Sequence, residues 1–189
     1  MTIPRSITAL LAAISSLSVV PASADPRIDE ARTIVKEFAG ALQSELQAAM
    51  KAGGPVQAVD VCHSRAPAIA AELSAKYGWQ VERTSLKRRN ADNTPDAWES
   101  ETLQQFEVRK AAGEPAAQLE FAAPVMIDGT QGFRYMKAIP TKAICLTCHG
   151  GDTVPPAVAA EINRYYPDDQ ARGFSEGDLR GAFSLLKRP

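Results

Sequence analysis

The chain has 189 residues, 45% of them hydrophobic, with 21 Lys and Arg against 22 Asp and Glu. That length and hydrophobic content suit one globular domain with a sizeable core. The balanced charge excludes the basic surface a nucleic-acid binder needs, and an aromatic content of 6% leaves little for base stacking.

Arg5 opens a short positive region ahead of an apolar run over 7–20, and Pro21-Ala22-Ser23-Ala24 follows. This pattern predicts a secretory signal peptide over 1–24, cleaved after Ala24 to leave a mature chain that begins at Asp25. The run is shorter than the about 20 residues of a membrane helix, and Ser and Thr interrupt it. The expectation is an exported, periplasmic protein that is not an integral membrane protein, in a compartment where thiols oxidise.

Ile28, Ala31, Val35, Phe38, Leu42, Leu46 and Ala49 recur at steps of three and four, which predicts an amphipathic helix ending at Gly53-Gly54. Pro55 opens a second helix with Val56, Val59, Cys62, Ala66, Ile69 and Leu73 on one face, and Pro67 is expected to kink or break it. The short connection predicts antiparallel packing of the two. A strand over 79–86, the basic loop Lys87-Arg88-Arg89-Asn90, and a third helix from Thr94-Pro95 to Gly113 come next. Residues 119–127 and 133–139 flank Asp128-Gly129 and read as a β-hairpin with a longer loop. A loop or short helical turn over 143–151, a helix over 156–166 and a last strand over 182–186 complete an α+β reading, with a single domain over 25–189.

The three cysteines are an odd number in an exported chain, and both histidines sit beside them. Cys145-Leu146-Thr147-Cys148-His149 is C-x-x-C-H, the c-type haem attachment signature. Its two thiols are spaced to add across the haem vinyl groups, and the adjacent imidazole becomes the proximal iron ligand. A thioredoxin-like C-x-x-C sits in a βαβ setting, whereas this one follows a Pro-Thr-Lys loop. A structural zinc site needs four ligands, and the chain has no second C-x-x-C. A Cys145–Cys148 disulfide closes a strained ring. The motif therefore predicts one covalently attached haem c, with His149 as one iron ligand. Its other axial position is open, or is filled by Cys62, His63, Met50, Met126 or Met136. Cys62 lies on the apolar seam of the second helix, and His63 stands about 100° further round.

Several ordered runs carry a resemblance. They are Val59-Asp60-Val61-Cys62 leading into Ala66-Pro67-Ala68-Ile69-Ala70; Arg83-Thr84-Ser85-Leu86-Lys87 with Arg89-Asn90; and Asn93, Pro95, Trp98 and Glu99. Phe133-Arg134-Tyr135-Met136-Lys137 with Ile139-Pro140 runs into the haem motif, and Gly177-Asp178-Leu179-Arg180-Gly181-Ala182-Phe183-Ser184 closes the set. Over nearly the whole mature chain the sequence resembles a family of PAS-like single-haem c-type proteins, found as small exported proteins and as extracytoplasmic sensor parts of histidine kinases. Ala91 departs from the Pro expected after Arg89-Asn90. The resemblance implies a PAS-like antiparallel sheet with N-terminal helices packed against it. It also implies Cys/His axial ligation, with the helical cysteine at Cys62 and the motif histidine at His149; His63 keeps a bis-His alternative open.

Arg83, Lys87, Arg89 and Arg134 are candidate partners for the haem propionates. The expected function is redox or gas sensing through ligand exchange at Cys62, with a separate redox or signalling protein as partner. A periplasmic electron-transfer cytochrome c is the alternative. An enzyme is not expected, because no histidine is left over for acid–base work beside the haem.

Overall fold

Asp25 caps the first helix by accepting the Arg27 backbone N–H at 3.0 Å. The computed structural model describes residues 25–189, so the signal peptide expected over 1–24 lies outside the described residues. Helix α1 spans Pro26–Asp60 and keeps helical hydrogen bonding past the expected stop. Gly54 interrupts it with φ 73° and ψ −165°, a backbone state in which an L side chain would be strained, and the chain turns back there.

Beyond the bend, side chains meet in descending order along α1. Arg65 reaches Glu45, Lys76 and Tyr77 reach Glu37, and Trp79 reaches Glu30. The returning arm is therefore antiparallel to the first. Its irregularity lies one turn before the expected kink: Val61–Arg65 is a π-turn, and α2 is Ala66–Tyr77 with Pro67 in its first turn. The Ala66 N–H bonds the Val61 carbonyl five residues back. Pro67 has no N–H to continue the ladder, so the widened turn takes up the interruption.

Strands β1 (Gln80–Thr84), β2 (Glu120–Ile127), β3 (Thr130–Pro140) and β4 (Leu179–Lys187) form an antiparallel sheet in the order β1-β4-β3-β2. The hairpin loop is shorter than expected. Ile127 pairs with Thr130 and Val125 with Gly132, leaving only Asp128 and Gly129 in the turn. The polar Thr130-Gln131-Gly132 segment that suggests a loop belongs to the strand. At the other end, β1 stops at Thr84 because the Ser85 N–H turns to the Asn93 carbonyl.

Alternate residues bury opposite faces of the sheet. Ile34, Phe38, Ile69 and Leu73 of the helical pair pack on Phe133, Tyr135, Phe183 and Leu185. Leu103 and Phe106 of α3 (Ala97–Ala111) pack with Met136, Ala138 and Ala182 from the other face. A reciprocal cap between Asp96 and Glu99 starts α3. The fold is α+β, with N-terminal helices on one face of an antiparallel sheet as expected and a further helix on the other. None of the described helices is long and apolar enough to cross a membrane.

Candidate functional site

The chain leaves β3 at a register shift between Ile139 and Pro140 and passes through a tight turn at Ala143–Cys145 into the short helix α4, Leu146–His149. Helix α5 (Pro156–Tyr165) packs Val158 and Ile162 on Val59 of α1, with Cys148 and Tyr166 against the same cluster. This packing brings the C-x-x-C-H turn to the π-turn. Cys62, Cys145, Cys148 and His149 line one cavity of about 1060 Å³, its open mouth included. The apolar part of its wall includes Leu42, Leu46, Val59 and Phe183.

His149 is set as a ligand. Its Nδ1 lies 2.9 Å from the Ala171 carbonyl, which can only accept, so Nδ1 carries the hydrogen and Nε2 keeps its lone pair. The ring edge also meets Phe174. Burial, followed by the nearby Arg180 and Arg89 charges, holds the imidazole pKa well below its ordinary value. A neutral ring fixed through one nitrogen is the form a metal requires. All three thiols are free, so Cys145 and Cys148 are not joined. Burial pushes the Cys148 thiol pKa up, and the Cys62 charge adds to that. The described residues hold no cluster of three or more His, Cys, Asp or Glu suited to a zinc-type site.

The alternatives to Cys62 are spread widely. Met50 lines the cavity, whereas Met126 is exposed on β2 and Met136 is buried on the opposite sheet face. His63 lies outside the cavity wall, stacked on Tyr165 at 4.3 Å and meeting the edge of Tyr166 at 5.6 Å.

The four basic candidates also separate. Arg134 pairs with Asp96 and lies over Trp98, away from the cavity. Lys87 bonds the Arg172 carbonyl and lies over Phe174, outside the wall. Arg89 is in the wall but committed: its Nε reaches Asp169 at 3.0 Å, and its Nη2 donates to the Cys148 carbonyl at 2.6 Å and the Ala171 carbonyl at 3.1 Å. It thus ties the motif to the carbonyl that orients His149. Only Arg83 of the four lines the cavity without a hydrogen bond or ion pair among the described residues.

Sequence reasoning assigned no site role to Arg180 and Tyr166. Arg180 donates to Ser85 Oγ at 3.1 Å, its Nε lies against the His149 ring, 3.2 Å from Nδ1 and 3.4 Å from Nε2, and it has no acidic partner among the described residues. Burial, then Arg89 and Arg83, push its pKa down to about 10. Its neighbour Gly181 marks the spot, because a Cβ there would stand 2.4 Å from the Thr84 carbonyl oxygen.

Tested against the haem that the motif implies, this cavity fits. It offers apolar walls, a neutral imidazole, and a thiol supplied from a different element. No carboxylate lines it among the described residues, while Arg83 and Arg180 bring two charges that a dianionic group would neutralise. Burying those cations without an anion is costly, since burial lowers the pKa of both.

Fold and cavity together define a small α+β protein built around a C-x-x-C-H turn. The family described as Tll0287-like matches residues 21–186, and the chain belongs to that family. Among solved structures it is similar to the cyanobacterial heme-protein Tll0287, at 26% identity and a TM-score of 0.66, over 88% of this chain and 97% of that one. No curated protein matches it.

Proposed function

We propose that the chain is an exported protein that attaches one haem c covalently and reports redox state, or a small gas, through its ligand at Cys62. The observation that carries this reading is the shared cavity. Cys62 and His149 reach it from different elements, with Cys145 and Cys148 beside the histidine and two arginines that lack acidic partners among the described residues. The similar protein titled a heme-protein supports the cofactor, the motif supports the covalent link, and the pattern over 1–24 supports export.

In this reading each of Cys145 and Cys148 adds its sulfur and hydrogen across one vinyl group, so the attachment needs no oxidant. His149 Nε2 and Cys62 Sγ would hold the iron, and Arg83 and Arg180 would pair with the propionates. The haem supplies a one-electron ferric/ferrous couple. A thiolate donor favours the ferric state and lowers the potential. Cys62 stands on a π-turn, a local irregularity that recurs at functional sites, and its movement bears directly on α1 and α2. A separate redox or signalling protein reads that movement, and the chain itself turns over no substrate.

The test is production with a c-type maturation system, followed by intact mass in denaturant and by mixing the ferrous protein with carbon monoxide. Haem retained by the wild type, but shed by the Cys145→Ala/Cys148→Ala variant, is the expected result. Haem shed by the wild type overturns covalent attachment. A carbon monoxide complex is expected as well, and its absence overturns the gas-sensing reading and favours an electron-transfer cytochrome c.

A further inference from the structure

The Arg180 guanidinium lies over the face of the His149 ring. Its Nε is 3.2 Å from Nδ1 and 3.4 Å from Nε2. Those two nitrogens flank Cε1, so a group nearly equidistant from both cannot approach in the ring plane without striking that carbon. The contact is therefore made through the face, as guanidinium groups make it on flat rings, and is not an in-plane hydrogen bond. Both in-plane directions of the imidazole keep their own uses. Nδ1 faces the Ala171 carbonyl at 2.9 Å, and the Nε2 lone pair stays free.

Three neighbours hold the guanidinium in this position. Nη1 donates to Ser85 Oγ at 3.1 Å and to the Lys87 carbonyl at 3.3 Å. Ser85 Oγ in turn donates to the Arg180 carbonyl at 2.8 Å, so both ends of the arginine are tied to the segment that follows β1. The Phe174 ring lies 5.3 Å from the guanidinium carbon and stands perpendicular to His149. Nη2 makes no hydrogen bond among the described residues and is left for the propionate.

We infer that Arg180 is a positioning residue that clamps the plane of His149 and raises the potential of the bound haem through its fixed charge; this rests on the His149 ligation proposed above. The Nδ1 hydrogen bond decides which nitrogen faces the cavity, and the guanidinium resists rotation of the ring about that direction. The ferrous state carries one more negative charge than the ferric state, so a cation this close favours it. The effect opposes that of a thiolate at Cys62, which favours the ferric state.

The test compares haem-loaded wild type, Arg180→Gln, Arg180→Lys and His149→Ala by potentiometry and by electron paramagnetic resonance of the ferric protein. Arg180→Gln removes the charge and is expected to shift the equilibrium about tenfold toward ferric, about 59 mV for a one-electron couple. Arg180→Lys keeps the charge but not the flat group, so it should restore most of the potential. Both variants should change the spread of g values, which reports the orientation of the ring plane. A crystal structure of the haem-loaded wild type should keep Arg180 Nε over the His149 ring, a measurement that does not depend on a variant folding. A shift below about twofold in Arg180→Gln, a potential in Arg180→Lys no higher than in Arg180→Gln, unchanged g values in both, or a wild-type guanidinium away from the ring overturns the inference. If His149→Ala leaves the ferric spectrum unaltered, the ligation reading fails and the inference with it. If His149→Ala alters it and Arg180→Gln is silent, only the role of Arg180 fails.

Discussion

Replacing Arg89 with Met keeps much of the side chain's bulk and removes a charge that three segments share. The Arg89–Asp169 pair is almost wholly buried, with side-chain exposures of 7% and 4%. Removing one member of a buried pair costs about 3–5 kcal/mol, because the other charge is left uncompensated. Arg172 also holds Asp169, at 2.8 Å, which places the loss near the low end, at about 3 kcal/mol. For a chain of this size that corresponds to about 6–12 °C in melting temperature. Urea unfolding of the haem-loaded protein, followed by circular dichroism, should show a lower midpoint with an unchanged slope. Arg89→Met/Asp169→Asn should recover part of the loss, with a coupling of at least about 1 kcal/mol. A loss below about 1 kcal/mol, as for an exposed pair, or strict additivity would refute the reasoning.

Three further outcomes follow from the same geometry. Burial raises the Asp169 pKa, but hydrogen bonds from Arg89 and Arg172 outweigh it and leave the carboxyl below its ordinary 3.8. The stabilisation is therefore present above pH 3.8 and lost as pH falls through the lowered folded-state value, and Arg89→Met should flatten that part of the urea midpoint profile. Gly181→Ala should cost about 2 kcal/mol or more in urea unfolding, because φ is 153° and the new Cβ would lie 2.4 Å from the Thr84 carbonyl oxygen. Phe106→Ala, at a fully buried position on the sheet face away from the cavity, should cost about 3–5 kcal/mol while leaving the haem spectrum unchanged.

The elements legible in the sequence were those whose apolar period is long or whose stops are chemically sharp. Val35, Phe38, Ile69 and Leu73 follow a helical period because they face one sheet, and they pack there. Pro67 made an interruption of the second helical arm legible, but not its form: the π-turn depends on the bond from Ala66 to Val61, and neither residue is unusual in a helix. Thr130 to Gly132 misled because backbone pairing with Ile127 and its neighbours, not their polarity, decides that they extend β3.

At the site, local spacing revealed the C-x-x-C-H turn, since its residues are adjacent in sequence. The basic residues were harder to assign, because a charge's role depends on its long-range partners. Arg134 has Asp96 and Arg89 has Asp169, while Arg180 has no acidic partner among the described residues; nothing in the charge itself distinguishes these cases.

The pairing of Cys62 with His149 is tested most directly by low-temperature electron paramagnetic resonance of the ferric protein, comparing wild type with Cys62→Ala and His63→Ala. The wild-type low-spin signal should disappear or change class in Cys62→Ala and persist in His63→Ala. An unchanged signal in Cys62→Ala, or its loss in His63→Ala, would contradict the account.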